Sequence, residues 1–352
     1  MAACEHEWVK FSLSLPLLED RTRRDPYRET YDLASIAEEC GFDTVTIGHH
    51  HFMPGNLADP LTFLATVAAR TSTVRVGTGI FQLPIHNPVR VAEQVATIDV
   101  LSGGRVSLGV GLGWWPLEYE VMGSDFATRG ARMEEALTIL KHVWTTGSTG
   151  FDGRFWSFPD LTVHPRPVQS PHPPLWVAGV ADAAVDRAAR LGDAWICGPV
   201  QSLTRAQSCL DVYREACTRE GRDPEWILRR YAWVGADRRR VMDEVLPEYV
   251  DGLMVHWRES AEDDEERALF ARIDAGDDVS ADEIAADRLL YGAPDDVIAQ
   301  IERYRALTGC DHVHAAFGAG LPADTGQASL GEFADIAAMI RLFGAEVIPA
   351  FA

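Results

Sequence analysis

The chain has 352 residues, with 32 Lys and Arg against 53 Asp and Glu, a formal net charge of −21. This acidic balance argues against a nucleic-acid partner, which needs a concentrated basic face, and against adsorption to anionic lipid. Hydrophobic residues make up 47%, enough for a sizeable core. No apolar run approaches the ~20 residues of a membrane span, and Glu5 and Glu7 stand where a secretory signal would be cationic, so a cytoplasmic location is expected.

β-rich runs alternate with helical segments from end to end. Strand Val9–Leu18 precedes helix Tyr27–Cys40, which Gly41 closes with the positive φ of a C-terminal cap. Strand Thr44–Gly48 and helix Pro60–Thr71 follow, then strand Val74–Ile80 and helix Pro88–Leu101, with Pro88 at a first helical position. Strand Arg105–Gly111 leads to helix Arg129–Trp144. Residues 145–174 read as irregular, apart from a hairpin at Phe151–Phe158 around Asp152-Gly153. The alternation resumes with strand Leu175–Gly179, helix Asp182–Leu191, strand Ala194–Cys197 and helix Leu203–Glu220. Strand Ile227–Val234 is followed by an acidic insertion at 238–288, helix Pro294–Thr308, strand His312–Phe317 and helix Leu330–Phe343.

Eight strand–helix units favour one α/β domain over residues 1–352, a (β/α)8 TIM barrel with insertions after strands 4 and 7. A dinucleotide fold fits less well. Gly109-Val-Gly111-Leu-Gly113 lacks the last glycine of that fingerprint and runs into Trp-Trp-Pro instead of a helix start. The insertion reads either as a solvated, mobile excursion or as a lid, since it leaves the seventh strand on the face where barrel active sites lie. Six scattered cysteines without a CxxC pair read as reduced thiols.

Residues just beyond strand ends line the site of such a barrel. Along an extended chain His49 and His51 share one face and His50 opposes them. With His312 and His314 they form two His-x-His pairs, a metallohydrolase pattern. The eighth strand lacks the aspartate such sites use, so no metal is expected. The glycines of Arg75–Ile80 mark either a structural bulge or a place where backbone meets ligand. Phe52, Trp114, Trp115 and Trp156 are either pocket walls or ordinary packing.

Several segments in order resemble the luciferase-like family of flavin-dependent barrel oxidoreductases. They are Gly41-Phe-Asp-Thr-Val45 before His50-His51-Phe52, Val76-Gly-Thr-Gly79 before Leu83-Pro84, His86-Asn-Pro-Val89, Ala92-Glu-Gln94, and Ser102-Gly-Gly-Arg105 before Leu108–Gly113. Later matches are Phe151-Asp-Gly-Arg-Phe155, Pro165-Arg-Pro-Val-Gln169 and Ala188–Ala194, with an echo at Tyr291-Gly-Ala-Pro294.

The resemblance implies a monooxygenase that takes reduced FMN from a partner flavin reductase and reacts it with O2 to a C4a-hydroperoxide, which oxygenates a small to medium organic substrate. A sister branch implies the alternative, a deazaflavin-dependent oxidoreductase that transfers hydride. A flavin-binding barrel without turnover is the third reading. The family's active-site histidine falls on His50. Cofactor contacts are expected from His49, Gly79, Ile80 and Gly111, with a phosphate loop at Gly179, Val180 and Ala181 whose usual hydroxyls are missing. Asp182 reads as the helix cap after that loop. Phe52, Trp114 and Trp115 are the expected substrate pocket. His49 replaces the acidic residue of both branches, and Trp114 stands where the deazaflavin sugar-phosphate dehydrogenases carry a general-acid glutamate, which favours FMN. The family also implies a cis peptide, here at Gly79–Ile80, and a homodimer through helices near strands 2 and 3, where Pro60–Ala69 and Val91–Val100 are apolar over much of their circumference.

Overall fold

A computed structural model of the chain describes residues 8–19, 22, 24–53, 56–259, 264–318 and 332–352. Glu5, Glu7 and Leu330, the last being the expected start of the final helix, lie outside them. Eight parallel strands carry the (β/α)8 barrel fold: β1 Lys10–Leu15, β2 Thr44–Ile47, β3 Arg75–Thr78, β4 Val106–Gly111, β5 Leu175–Ala178, β6 Ala194–Ile196, β7 Trp226–Val234 and β8 His312–Phe317. All eight were legible in the sequence. The helices between them are α1 Arg28–Glu39, α2 Pro60–Arg70, α3 Pro88–Ser102, α4 Pro116–Val121, α5 Arg129–Thr146, α6 Asp182–Leu191 and α7 Leu203–Glu220. After β7 come α8 Leu246–Glu259, α9 Asp264–Asp274, α10 Ala281–Ala285 and α11 Pro294–Thr308, and after β8 comes α12 Phe333–Leu342.

Packing divides the chain into two compact units, one of residues 44–196 with 211–225, the other of 1–43, 197–210 and 226–352. In the first, β2 pairs with β3 from Thr44↔Arg75 to Ile47↔Thr78, and β4 pairs with β5 from Leu108↔Leu175 to Val110↔Val177. Asn87 caps α3 by accepting from the N–H groups of Val89 and Arg90, with Pro88 as its first residue. The hairpin of strands Phe151–Asp152 and Ser157–Phe158 forms as expected. Its turn is pinned by one side chain: the carboxylate of Glu135 on α5 accepts from the N–H groups of Arg154, Phe155 and Trp156 at 2.9, 2.9 and 2.7 Å.

In the second unit β8 lies between β1 and β7, with Ser12↔His314 and Arg229↔His314 in register. The insertion departs from the solvated excursion expected of it. Most of its described acidic residues are exposed, although Glu266 is buried, while Leu246, Tyr249, Val250, Leu253, Leu269, Phe270 and Ile284 bury one another in an apolar core. The extra strand Leu289–Gly292 continues that core by pairing with Tyr231–Val234 of β7. Two further expectations are corrected. Pro116, within the run that looked unlike a helix start, is the first residue of α4. The cap of α6 is Ala181, and Asp182 falls in the first turn.

Candidate active site

The site builds up within the first unit, where β2 ends in Gly48-His49-His50-His51. The alternation expected from an extended chain holds. His49 and His51 point to one side, with their Nε2 atoms 3.0 Å apart, and His50 points away. His49 is 2% exposed and stacks on Phe81, whose other neighbour is His86. Its Nδ1 accepts from the Gln82 N–H at 3.1 Å, so its own proton resides on Nε2. Burial first, then the neighbouring imidazoles, depresses the pKa of His49 to about 2 and that of His86 to about 4; the same burial lowers that of His51. The three rings are therefore neutral at pH 7, and one nitrogen of each lies within 4.8 Å of the others.

Convergence of this kind suits a metal, but the hydrogen bonds work against one. A metal on Nε2 of His49 would displace the proton between the two rings and leave Nδ1, already facing an N–H, without a proton to donate. His312 and His314 are no part of this group. His312 meets Ser12 Oγ, and burial holds its pKa down to about 3.

His50, the expected catalytic residue, meets two side chains that the sequence reading did not place beside it. Its Nδ1 is 3.3 Å from Oε1 of Glu118 and 3.1 Å from Nε2 of Gln82. Glu118, in the first turn of α4, is 0% exposed. Burial alone would raise its pKa, but hydrogen bonds from His50, the His51 N–H and Gln82 outweigh burial and hold it below the usual carboxylate range. Gln82 comes from the short strand Phe81–Gln82, which pairs with Val110 and Gly111 of β4 and so brings the Gly79–Ile80 segment against β4. The Gly79–Ile80 peptide is cis. Thr78 Oγ1 ties this segment to the Gly109 carbonyl at 2.6 Å.

The glycines have physical reasons. A Cβ on Gly109 would lie 2.1 Å from the Thr78 carbonyl oxygen, and one on Gly111 would meet the Ile80 side chain at 2.7 Å. Gly179 is required by its own turn, since a Cβ there would sit 2.4 Å from that of Ala184. The Gly179-Val180-Ala181 turn presents no side-chain hydroxyl or cation of its own, and Asp182 adds a carboxylate. Trp114 and Phe52 are exposed, at 44% and 54%, and Trp115 stacks beside Trp114, whose edge approaches His50.

These features fit the ring of a flavin. Ile80 and Trp114 offer apolar surface beside polar His50 and Gln82. Buried atoms that lack a partner, Gln82 Oε1 and Glu118 Oε2, stand within the same network. Sequence reasoning gave Glu118 and His86 no role in the site. The one available signal for Glu118 was its place one turn beyond the β4 glycines.

Known proteins narrow the reading. Over 176 residues the chain is 35% identical to the oxygenase component of a flavin-dependent trigonelline monooxygenase from Acinetobacter baylyi, covering 48% of this chain and 49% of that protein. The chain thus spans about half the length of that relative. It is 27% identical over 293 residues to an F420-dependent glucose-6-phosphate dehydrogenase from Amycolatopsis mediterranei, covering 79% and 85%. In three dimensions it resembles the monooxygenase RslO1 from Streptomyces bottropensis, with a TM-score of 0.78, 26% identity and 97% and 100% of the two chains covered. Residues 10–311 match the family model of luciferase-like monooxygenases, and the chain belongs to that family.

Proposed function

We propose that this chain is the oxygenase of a two-component system, taking reduced FMN from a separate reductase and using O2 to oxygenate a small to medium organic substrate. When bound, the flavin supplies the activation of O2, and the protein supplies position and a dry surface. Ile80, Gly79 and Gly111 are assigned to the ring, Gly179–Ala181 with the N-terminus of α6 to the phosphate, and His50 to proton traffic at the ring edge. His49, 2% exposed, is assigned to the cofactor site through the neighbours that it positions. Its role is to hold Gln82 and His51. Phe52, Trp114 and Trp115 make an aromatic wall, which suits an apolar or aromatic substrate.

One observation favours oxygenation over hydride transfer. The position after the β4 glycines, which the resemblance makes an acid in deazaflavin sugar-phosphate dehydrogenases, holds the exposed indole of Trp114. The carboxylate nearest His50, on Glu118, is fully buried, with Oε1 taken up by three neighbours. Hydride transfer stands as the second reading because similarity to the F420-dependent dehydrogenase runs over most of both chains.

Anaerobic titration with reduced FMN and with reduced deazaflavin, followed by air, separates them. Saturable binding of reduced FMN, with reoxidation kinetics unlike those of free flavin, supports the oxygenase. Saturation by reduced deazaflavin alone overturns it, as does FMN binding that leaves reoxidation unaltered.

A further inference from the structure

Counting hydrogens around Glu118 decides which nitrogen of His50 is protonated. Gln82 Nε2 has two hydrogens and three atoms in reach, each at 3.1 Å: the His49 carbonyl oxygen, Glu118 Oε1 and His50 Nδ1. Glu118 Oε1 also accepts the His51 N–H at 2.7 Å and lies 3.3 Å from His50 Nδ1. If His50 Nδ1 were bare, its lone pair would face a buried carboxylate oxygen, and Gln82 would have to abandon one of its two oxygen acceptors to reach it. With the proton on Nδ1 each contact to an oxygen joins a donor to an acceptor, and only the approach of Gln82 Nε2 to His50 Nδ1 is left without a hydrogen bond. His50 and the His51 N–H then donate to Glu118, and Gln82 donates to Glu118 and the His49 carbonyl.

We propose that Glu118 is a positioning residue that fixes His50 as the Nδ1–H tautomer, leaving Nε2, the nitrogen remote from the carboxylate, as a bare lone pair. A buried carboxylate behind an imidazole does the same for catalytic histidines on unrelated folds, by setting tautomer and ring orientation. What His50 then does with that lone pair rests on the flavin reading. The tautomer does not, and it is measured on flavin-free protein.

Two-bond 1H–15N correlation of labelled protein at mildly alkaline pH reads the tautomer, with the His50 signals assigned by their loss in His50→Gln. Wild type is expected to show protonated Nδ1 and bare Nε2. Glu118→Gln, which keeps the shape and removes the charge, shifts the major form toward the Nε2–H ring that free histidine prefers. Glu118→Asp, which keeps the charge, retains the Nδ1–H form. An Nε2–H ring in wild type overturns the proposal, and so does an unchanged Nδ1–H pattern in a Glu118→Gln variant with native circular dichroism. Should Glu118→Gln fail to fold, the wild-type and Glu118→Asp spectra still decide it, the Nε2–H form in either one refuting the assignment.

Discussion

An imidazole acts as a base only if its lone pair is presented and its ring is held, and the site divides these tasks among residues far apart in sequence. His50 is 68 positions from Glu118, and its opposite neighbours His49 and His51 are occupied with each other and with Gln82. Replacing His50 with Ala removes a partly exposed side chain, so folding is expected to persist while turnover with saturating reduced flavin falls by at least about tenfold; general acid–base groups contribute ~10²–10⁴. Unchanged turnover would remove His50 from the chemistry.

The neutral histidines make a second prediction, on acid stability. Their folded pKa values lie below the ordinary 6.5, at about 4 for His86 and about 2 for His49. The unfolded chain therefore takes up protons first as the pH falls. Stability is full above pH 6.5 and is lost below it, down through pH 4 for His86 and further for His49. At ~1.4 kcal/mol per unit, each costs about 2 kcal/mol at about pH 5. Urea unfolding of wild type and His86→Gln at about pH 7.5 and pH 5 tests this; the variant should lose less on acidification, and an equal loss in both would exclude His86 as a source. His50 was legible from its place at a strand end together with the family pattern. Glu118 was not, because a lone glutamate two residues before Glu120 reads as one more surface acid until α4 turns it inward.

Elements were legible where length and punctuation agreed. α6, α7 and α11 have the bounds read from the sequence, the last between Pro294 and Gly309, whose left-handed φ ends it. α4, with six residues, is shorter than the repeat that reveals a helix, and the four-residue strand Leu289–Gly292 has no room for alternation. In the insertion, net charge masked a helical repeat: Leu246, Tyr249, Val250 and Leu253 are spaced i, i+3, i+4, i+7 and share the buried face of α8. The β3–β4 contact supplies a prediction of its own. Gly109→Ala drives a Cβ into the Thr78 carbonyl, a backbone atom that cannot step aside, and should cost at least about 1–3 kcal/mol. Gly111→Ala meets the end of the Ile80 side chain, which can rotate, and should cost less while moving Ile80 away from the proposed ring site. Thermal melts that rank the two variants in the opposite order would contradict this account.

At the scale of the molecule, none of the helices among the described residues is long and apolar enough to cross a membrane. The apolar surplus of α2 and α3 is largely used within the first unit. Leu61, Leu64 and Val67 are buried, as are Val91, Val95 and Ile98, and the two helices pack together. The large apolar side chains that they leave exposed are Val100 and Leu101, at the end of α3. A homodimer through this face is the expectation, and Leu101→Glu should shift it toward monomer. A wild-type monomer mass by light scattering at micromolar concentration would reject it. The single carboxylate that holds the hairpin turn has a different kind of consequence. Arg154 is exposed in sequence chemistry to trypsin, yet its peptide and the next two are hydrogen-bonded to Glu135, so cleavage there must wait for the turn to detach. Glu135→Ala sets that turn loose. Since even one hydrogen bond to a charged acceptor is worth about 1.5 kcal/mol, nicking after Arg154 should quicken at least about tenfold. A nick there would give fragments 1–154 and 155–352, so that one side chain on α5 governs whether a protease divides the chain at this turn.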